Sequence, residues 1–350
     1  DNFSAAINWN LQVATSADTT NSLTVTTPPP SINKVIQTSG NSAYKIGDTV
    51  TFKVTFDQSV VVDDSGGTPR ILLETGTTDE YASYVSGSGS ADLVFSYVVQ
   101  AGDTSADLQY FDTSSFDLNS GTITSVANGS TAALTLPGTS SGKSLAETSA
   151  IVIDGAAPSA PSTPDLDSAS DTGVSNSDDN TSDATPTFSG TAEANSTVYL
   201  YDTDGTTQLG TTTADGSGNW TITASKMSDG AHSVTAKAVD SAGNVSSASS
   251  ALATVIDTTA PTLTISTIAF SDDTGLSSTD FITSAGKQNI SGTLSANLSA
   301  GETVQVSLDN GSTWIDASAT VGTSSFVLNK QSISGADTLK VRVVDTAGNA

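Results

Sequence analysis

The chain has 350 residues, 11 of them basic and 37 acidic, for a formal charge of −26. That charge excludes nucleic acid and anionic membrane surfaces, which would repel it, and implies cationic partners; the absence of cysteine removes disulfides and thiolate chemistry. Of the acids 32 are Asp and 5 are Glu, and with abundant Ser, Thr, Gly and Val this favours strands joined by tight turns, together with the short-armed oxygen donors that calcium takes.

Residues 1–30 contain two strand-like stretches, 7–13 and 22–26, and close on the stiff extended connector Pro28-Pro-Pro30. No stretch approaches the roughly 20 apolar residues that span a bilayer. No basic, apolar leader opens the chain at Asp1, so a leader has been removed or the chain is a piece of something longer.

Residues 31–154 form a first, larger domain whose runs Val50-Thr-Phe-Lys-Val-Thr-Phe56 and Ala91-Asp-Leu-Val-Phe-Ser-Tyr-Val-Val99 alternate with period two, the mark of half-buried strands. Residues 155–257 and 258–350 are two further domains of about 100 residues, the last lacking a closing strand. Asp154-Gly-Ala-Ala-Pro158 returns as Asp257-Thr-Thr-Ala-Pro261 after 103 residues, and Val239-Asp-Ser-Ala-Gly-Asn244 returns as Val344-Asp-Thr-Ala-Gly-Asn349 after 105. A period of that size is one whole domain. Hairpin dipeptides such as Asp204-Gly205, Asp215-Gly216, Asp229-Gly230 and Asn310-Gly311 separate the runs, and no helix of three turns is evident. The fold class is all-β: tandem immunoglobulin-like β-sandwiches in an elongated rod.

Phe188-Ser-Gly-Thr191 and Ile290-Ser-Gly-Thr293, the Val-Asp-x-Ala-Gly-Asn hairpins and the Asp-Thr-Thr-Ala-Pro linker make the second and third domains resemble the bacterial immunoglobulin-like tandem repeats of large surface adhesins and biofilm-associated proteins. The first domain resembles another repeat of the same proteins. The resemblance implies a non-enzymatic, secreted or cell-surface structural and adhesive module. Its partners would be neighbouring repeats or identical subunits, and a cell-surface glycan or protein receptor, with no nucleic acid and no membrane insertion. It also implies calcium at the interdomain joints.

Calcium wants six to eight hard oxygens. The first junction offers Asp154, Asp165, Asp167, Asp171, Asp178 and Asp179; the second offers Asp240, Asn244, Asp257, Asp272, Asp273 and Asp280. The alternative reading of the same residues is Asx turns and a soluble surface; Asp240 and Asn244 read equally as a hairpin turn, and calcium coordination would allow both roles at once. Trp220 and Trp314 follow turn signals and are either core residues or aromatic platforms for sugar rings, as is Trp9 in its unassigned segment; Tyr199 and Tyr201 share one strand face. His232 is the only histidine, so triad chemistry or a histidine zinc site would rest on it alone. Residues 1–30 are either the tail of a preceding domain or a donor strand that completes the third domain of another subunit, building a filament.

Overall fold

The computed structural model describes residues 27–40, 42–274, 276–277, 280–333 and 338–350, so Trp9 and the stretches at 7–13 and 22–26 lie outside the described residues. The described chain is strand, turn and extended backbone, with one four-residue helix, Leu145–Thr148. It divides into two units, residues 1–157 and 158–350.

In the first unit an eight-stranded sheet is built around the long strand Thr49–Asp63, which pairs with Ile32–Gln37 on one side and Ser90–Val98 on the other. Val50, Phe52, Val54 and Phe56 are all buried, as period-two alternation requires. Phe52 stacks on Phe95, and Phe116 meets Phe95 edge-on at 5.4 Å, an arrangement aromatic rings favour. A three-stranded sheet of Ala43–Lys45, Val152–Asp154 and Thr104–Ser105 completes the unit. Leu145 anchors the helix in the core, and Ser144 and Glu147 form its capping box.

The second unit holds two cores, one centred on Phe188, Val198, Leu200 and Trp220, the other on Ile290, Val304, Val306 and Phe326. Each is enclosed by two sheets, antiparallel throughout except for one parallel pairing in the second domain. Asp165–Leu166, Thr187–Thr191 and Asn219–Thr223 face Asn180–Thr181, Leu252–Ile256, Gly230–Val239, Thr197–Tyr201 and Gln208–Thr213. In the third domain Ile265–Phe270, Lys287–Leu294, Ser325–Ser332 and Ser318–Ala319 face Ile315–Asp316, Thr303–Ser307 and Lys340–Val344.

The repeated Ser-Gly-Thr has a packing cause. Gly190 lies opposite Trp220 across the sheet, and a Cβ on it would sit 2.5 Å from the indole Cζ2. Gly292 lies opposite Phe326, whose ring would be 2.5 Å from the same added carbon. Each glycine thus leaves the space that its cross-strand aromatic fills. One element differs between the repeats: Leu252–Ile256 runs parallel to Asn180–Thr181 and antiparallel to Gly230–Val239, whereas no strand among the described residues takes that place in the third domain.

Candidate functional site at the joint of the repeats

The Val-Asp-x-Ala-Gly-Asn mark is a turn closed on itself. Asp240 Oδ1 accepts the backbone N–H groups of Ala242, Gly243 and Asn244 at 2.7–2.9 Å, and Asn244 Nδ2 donates to Asp240 Oδ2 at 2.8 Å. Asp345 repeats the pattern: Asn349 donates from its backbone N and from Nδ2 to the two carboxylate oxygens, both at 2.9 Å. Gly243 and Gly348 both take φ +94°, where glycine alone is unstrained. Asp240 and Asn244 thus both make the hairpin turn.

The second of these turns seats on the second domain. Thr172 Oγ1 donates to the Ala347 carbonyl at 2.8 Å, Val174 N to the Thr346 carbonyl at 3.3 Å, and Asn349 Nδ2 to the Asp257 carbonyl at 2.7 Å. Backbone meets backbone here. A Cβ on Gly173 would lie 2.2 Å from the Thr346 carbonyl oxygen, and one on Gly348 would lie 2.8 Å from Gly173 Cα. The Thr172 hydroxyl is held for the purpose, accepting the Ser182 N–H at 2.8 Å while it donates across the joint. The linker is fastened by Asp229, whose carboxylate accepts Thr258 N, Thr258 Oγ1 and Thr259 Oγ1 at 2.8–3.2 Å. Those hydroxyls hold its pKa below the ordinary carboxylate range.

Asp171, Asp178 and Asp179 are gathered in this same loop, beside the residues that receive the turn of the third domain. Asp171 is 4% exposed; its Oδ2 accepts the Asp179 N–H at 3.3 Å, and its Oδ1 is buried with no hydrogen-bond partner. Burial first, then the charge of Asp178, pushes the Asp171 carboxyl above its ordinary value. Burial and the charges of Asp171, Asp165 and Asp178 do the same to Asp179. The third domain repeats the orphan: Asp273 Oδ1 is buried and unpartnered, while Asp273 Oδ2 accepts the Phe281 N–H at 3.2 Å.

The other candidates fall elsewhere. Asp154 closes the strand Val152–Asp154 in the first unit and accepts the Ala156 N–H. Asp167 accepts the Ser189 hydroxyl, and Asp165 lies exposed on a strand. Asp257 accepts the Thr259 N–H, Asp280 the Ile282 N–H, and the Asp272 backbone exchanges two bonds with the Gln288 amide. Among the described residues no three acidic, histidine or cysteine side chains converge closely enough to ligate a metal as they stand.

Trp220 is corrected as a sugar platform: it is 3% exposed and fills the core beside Gly190. The face of Trp314 is covered by the Arg342 guanidinium, 4.1 Å from the ring centroid. Tyr199 and Tyr201 stack on each other at 6.5 Å. His232 is a structural clamp, bonded to Asp202 and to the Ser228 carbonyl at 2.8 Å each. Sequence reasoning missed Thr172, Gly173 and Asp229 as joint residues. The recurrence of Asp-Thr-Gly at 171–173 and 273–275 was a signal of the first two; Asp229 looked like any other hairpin residue.

A profile of the bacterial Ig-like domain family matches residues 157–258 and again 259–350. No curated protein sequence matches the chain. Among solved structures, a 1.5-MDa bacterial ice-binding adhesin is similar at 20% identity and TM-score 0.27, over 93% of this chain and 99% of that one. Fibronectin(III)-like modules from Clostridium thermocellum are similar at 12% identity and TM-score 0.27, over 63% and 93%. A domain of a biofilm-associated protein is similar at 11% identity and TM-score 0.20, over 90% and 64%. These scores are low, so function rests on the family match and on the chain's own geometry.

Proposed function

Since the chain belongs to the bacterial Ig-like domain family, matched over residues 157–258 and 259–350, we propose that it is a non-enzymatic spacer of an extracellular bacterial adhesin or biofilm protein, stiffened at its joints by calcium. The observation that carries the reading is the latch between the repeats, where Gly173 and Gly348 bring two backbones into contact and three hydrogen bonds tie one domain to the next. A spacer needs such a joint, because domains on a short linker otherwise move freely. Among the described residues no helix is long and apolar enough to cross a membrane.

Calcium fits the loop beside the latch in one respect above all: the Asp171 carboxylate is buried, half unpartnered and repelled by the charge of Asp178. Asp171, Asp178 and Asp179 would hold the ion, with Asp165 in reach of their field. The ion would offset the mutual repulsion and brace the loop that carries Thr172 and Gly173. Asp273 and Asp280 would serve the third domain, with one carboxylate fewer because Phe281 stands where Asp179 does.

Thermal melts with calcium and with chelator test this. Binding to the folded state alone stabilises by about 2.7 kcal/mol at a hundredfold excess over Kd, so calcium raises Tm and Asp171→Asn abolishes the rise. In chelator the same substitution raises Tm, because it neutralises a buried, repelled carboxylate. A wild-type Tm that calcium leaves unchanged overturns the stiffening role.

A further inference from the structure

In the third domain Val304, Val306 and Val343 point into the core, so the alternate residues of their strands face outward. On that outer face Asp316, Gln305 and Arg342 form one cross-strand row, with Gln305 in the middle. Gln305 Nε2 donates to Asp316 Oδ1 and Arg342 Nε donates to Gln305 Oε1, both at 2.9 Å. The Trp314 ring holds the guanidinium from a second side, at 4.1 Å. An Arg and an Asp on one sheet face ordinarily neutralise each other; here Gln305 keeps them apart, and neither makes an ion pair among the described residues. The terminal guanidinium nitrogens of Arg342, Asp316 Oδ2 and Thr303 Oγ1 have no hydrogen-bond partner among the described residues.

The fold does not require this row. In the second domain the same register places Thr211, Tyr199 and Lys237 where the third has Asp316, Gln305 and Arg342, and Lys237 lies over the Tyr201 ring instead, at 5.7 Å. The separated charges therefore belong to the third repeat alone. They line a pocket of about 320 Å³ together with Thr303, Gly348 and, from the second domain, Gly173 and Val174. That volume lies at the lower end of the ~300–1,000 Å³ of small-molecule sites. Val174, 68% exposed, contributes an apolar side chain beside the polar row.

We infer that this pocket binds a neutral sugar, one pyranose unit of a glycan. A fixed cationic donor and a fixed anionic acceptor, kept from each other, match two neighbouring hydroxyls: one accepts from the Arg342 fork while the other donates to Asp316 Oδ2. The Thr303 hydroxyl serves as donor or acceptor to a third, and Val174 meets the C–H face of the ring. The charges of Arg342 and Asp316 cancel within the pocket, and the chain's charge of −26 repels an acidic sugar, so the ring is uncharged. The inference rests neither on the spacer reading nor on calcium.

The probes are the methyl glycosides of glucose, galactose and mannose, with methyl glucuronide as the charged comparison, titrated into the 350-residue chain and followed by amide and guanidinium chemical shifts. Saturable binding of at least one neutral glycoside at millimolar concentration is expected, with shifts concentrated at Val174, Gln305 and Arg342. Arg342→Lys and Asp316→Thr install the residues that the second domain carries in this register, so the sheet tolerates them. The first loses the guanidinium fork and the second the carboxylate, and each should weaken binding about tenfold. No saturation by any of the three neutral glycosides overturns the inference. So do undiminished affinity in both variants, tighter binding of the glucuronide than of every neutral glycoside, and shifts that map away from the pocket.

Discussion

Gly348→Ala should uncouple the two repeats while leaving both cores intact. At φ +94° any side chain costs about 1–2 kcal/mol in backbone strain. The added carbon would also lie 2.8 Å from Gly173 Cα and 2.9 Å from Gly173 N, well inside the ~3.5–4.0 Å of a carbon contact. Both obstacles are backbone, so no rotamer change relieves them and the domains must part. Parting forfeits the bonds of Thr172 to Ala347, Val174 to Thr346 and Asn349 to Asp257, at about 1 kcal/mol each, which brings the total to about 4–5 kcal/mol. Gly322→Ala is the matched control, because Gly322 has φ +84° and nothing within 4 Å of an added Cβ; it pays the strain alone. Calorimetry of the full chain should show the transition of the third domain falling much further for Gly348→Ala than for Gly322→Ala, and nitrogen relaxation should show its tumbling freed from the second domain. Equal effects of the two substitutions would falsify the backbone latch.

Gly190→Ala should cost about 1–3 kcal/mol by forcing Trp220 out of place; a double-mutant cycle with Trp220→Ala, read by urea unfolding, should show that most of this penalty disappears once the indole is gone, and additivity would refute the pairing. For His232, burial opposes the charged ring, but the Asp202 carboxylate and the Ser228 carbonyl outweigh it and raise its pKa, while that of Asp202 is lowered. A raised folded-state pKa gives stability that is complete below the unfolded value near 6.5 and is lost as pH rises through the folded value. The second domain should therefore melt higher at pH 5.5 than at pH 8.5, and His232→Gln should remove that slope.

Period-two runs made the strands legible, because alternation maps directly onto a half-buried sheet; Val50, Phe52, Val54 and Phe56 are buried as their spacing requires. The repeated marks were legible as punctuation but not as parts of one joint. That Thr346 to Gly348 would meet Thr172 and Gly173, some 175 residues apart, depends on how one domain is set on the next, and no local pattern encodes it. Trp220 was ambiguous for a related reason. An aromatic after a turn is core or platform according to what stands opposite, and the deciding residue is Gly190, thirty positions earlier and adjacent only across the sheet. Asp229 was hidden by its own chemistry, since Asp-Gly is a turn signal whether or not the carboxylate also clamps a linker.

The aspartates themselves separate structure from function. Asp112, Asp204, Asp215, Asp240, Asp309 and Asp345 each turn a carboxylate onto amides or hydroxyls of their own loops. Such carboxylates are satisfied, so turn-making accounts for them without any ion. Asp171 breaks the rule, with an oxygen buried and bare and the charge of Asp178 nearby, and Asp273 leaves the same oxygen bare one repeat later. An unsatisfied buried carboxylate costs stability, and a chain that satisfies so many others has the means to satisfy these. Both exceptions fall at one position of the repeat, in the loop that carries the latch threonine in the second domain, and that recurrence is the ground on which a cation is proposed there.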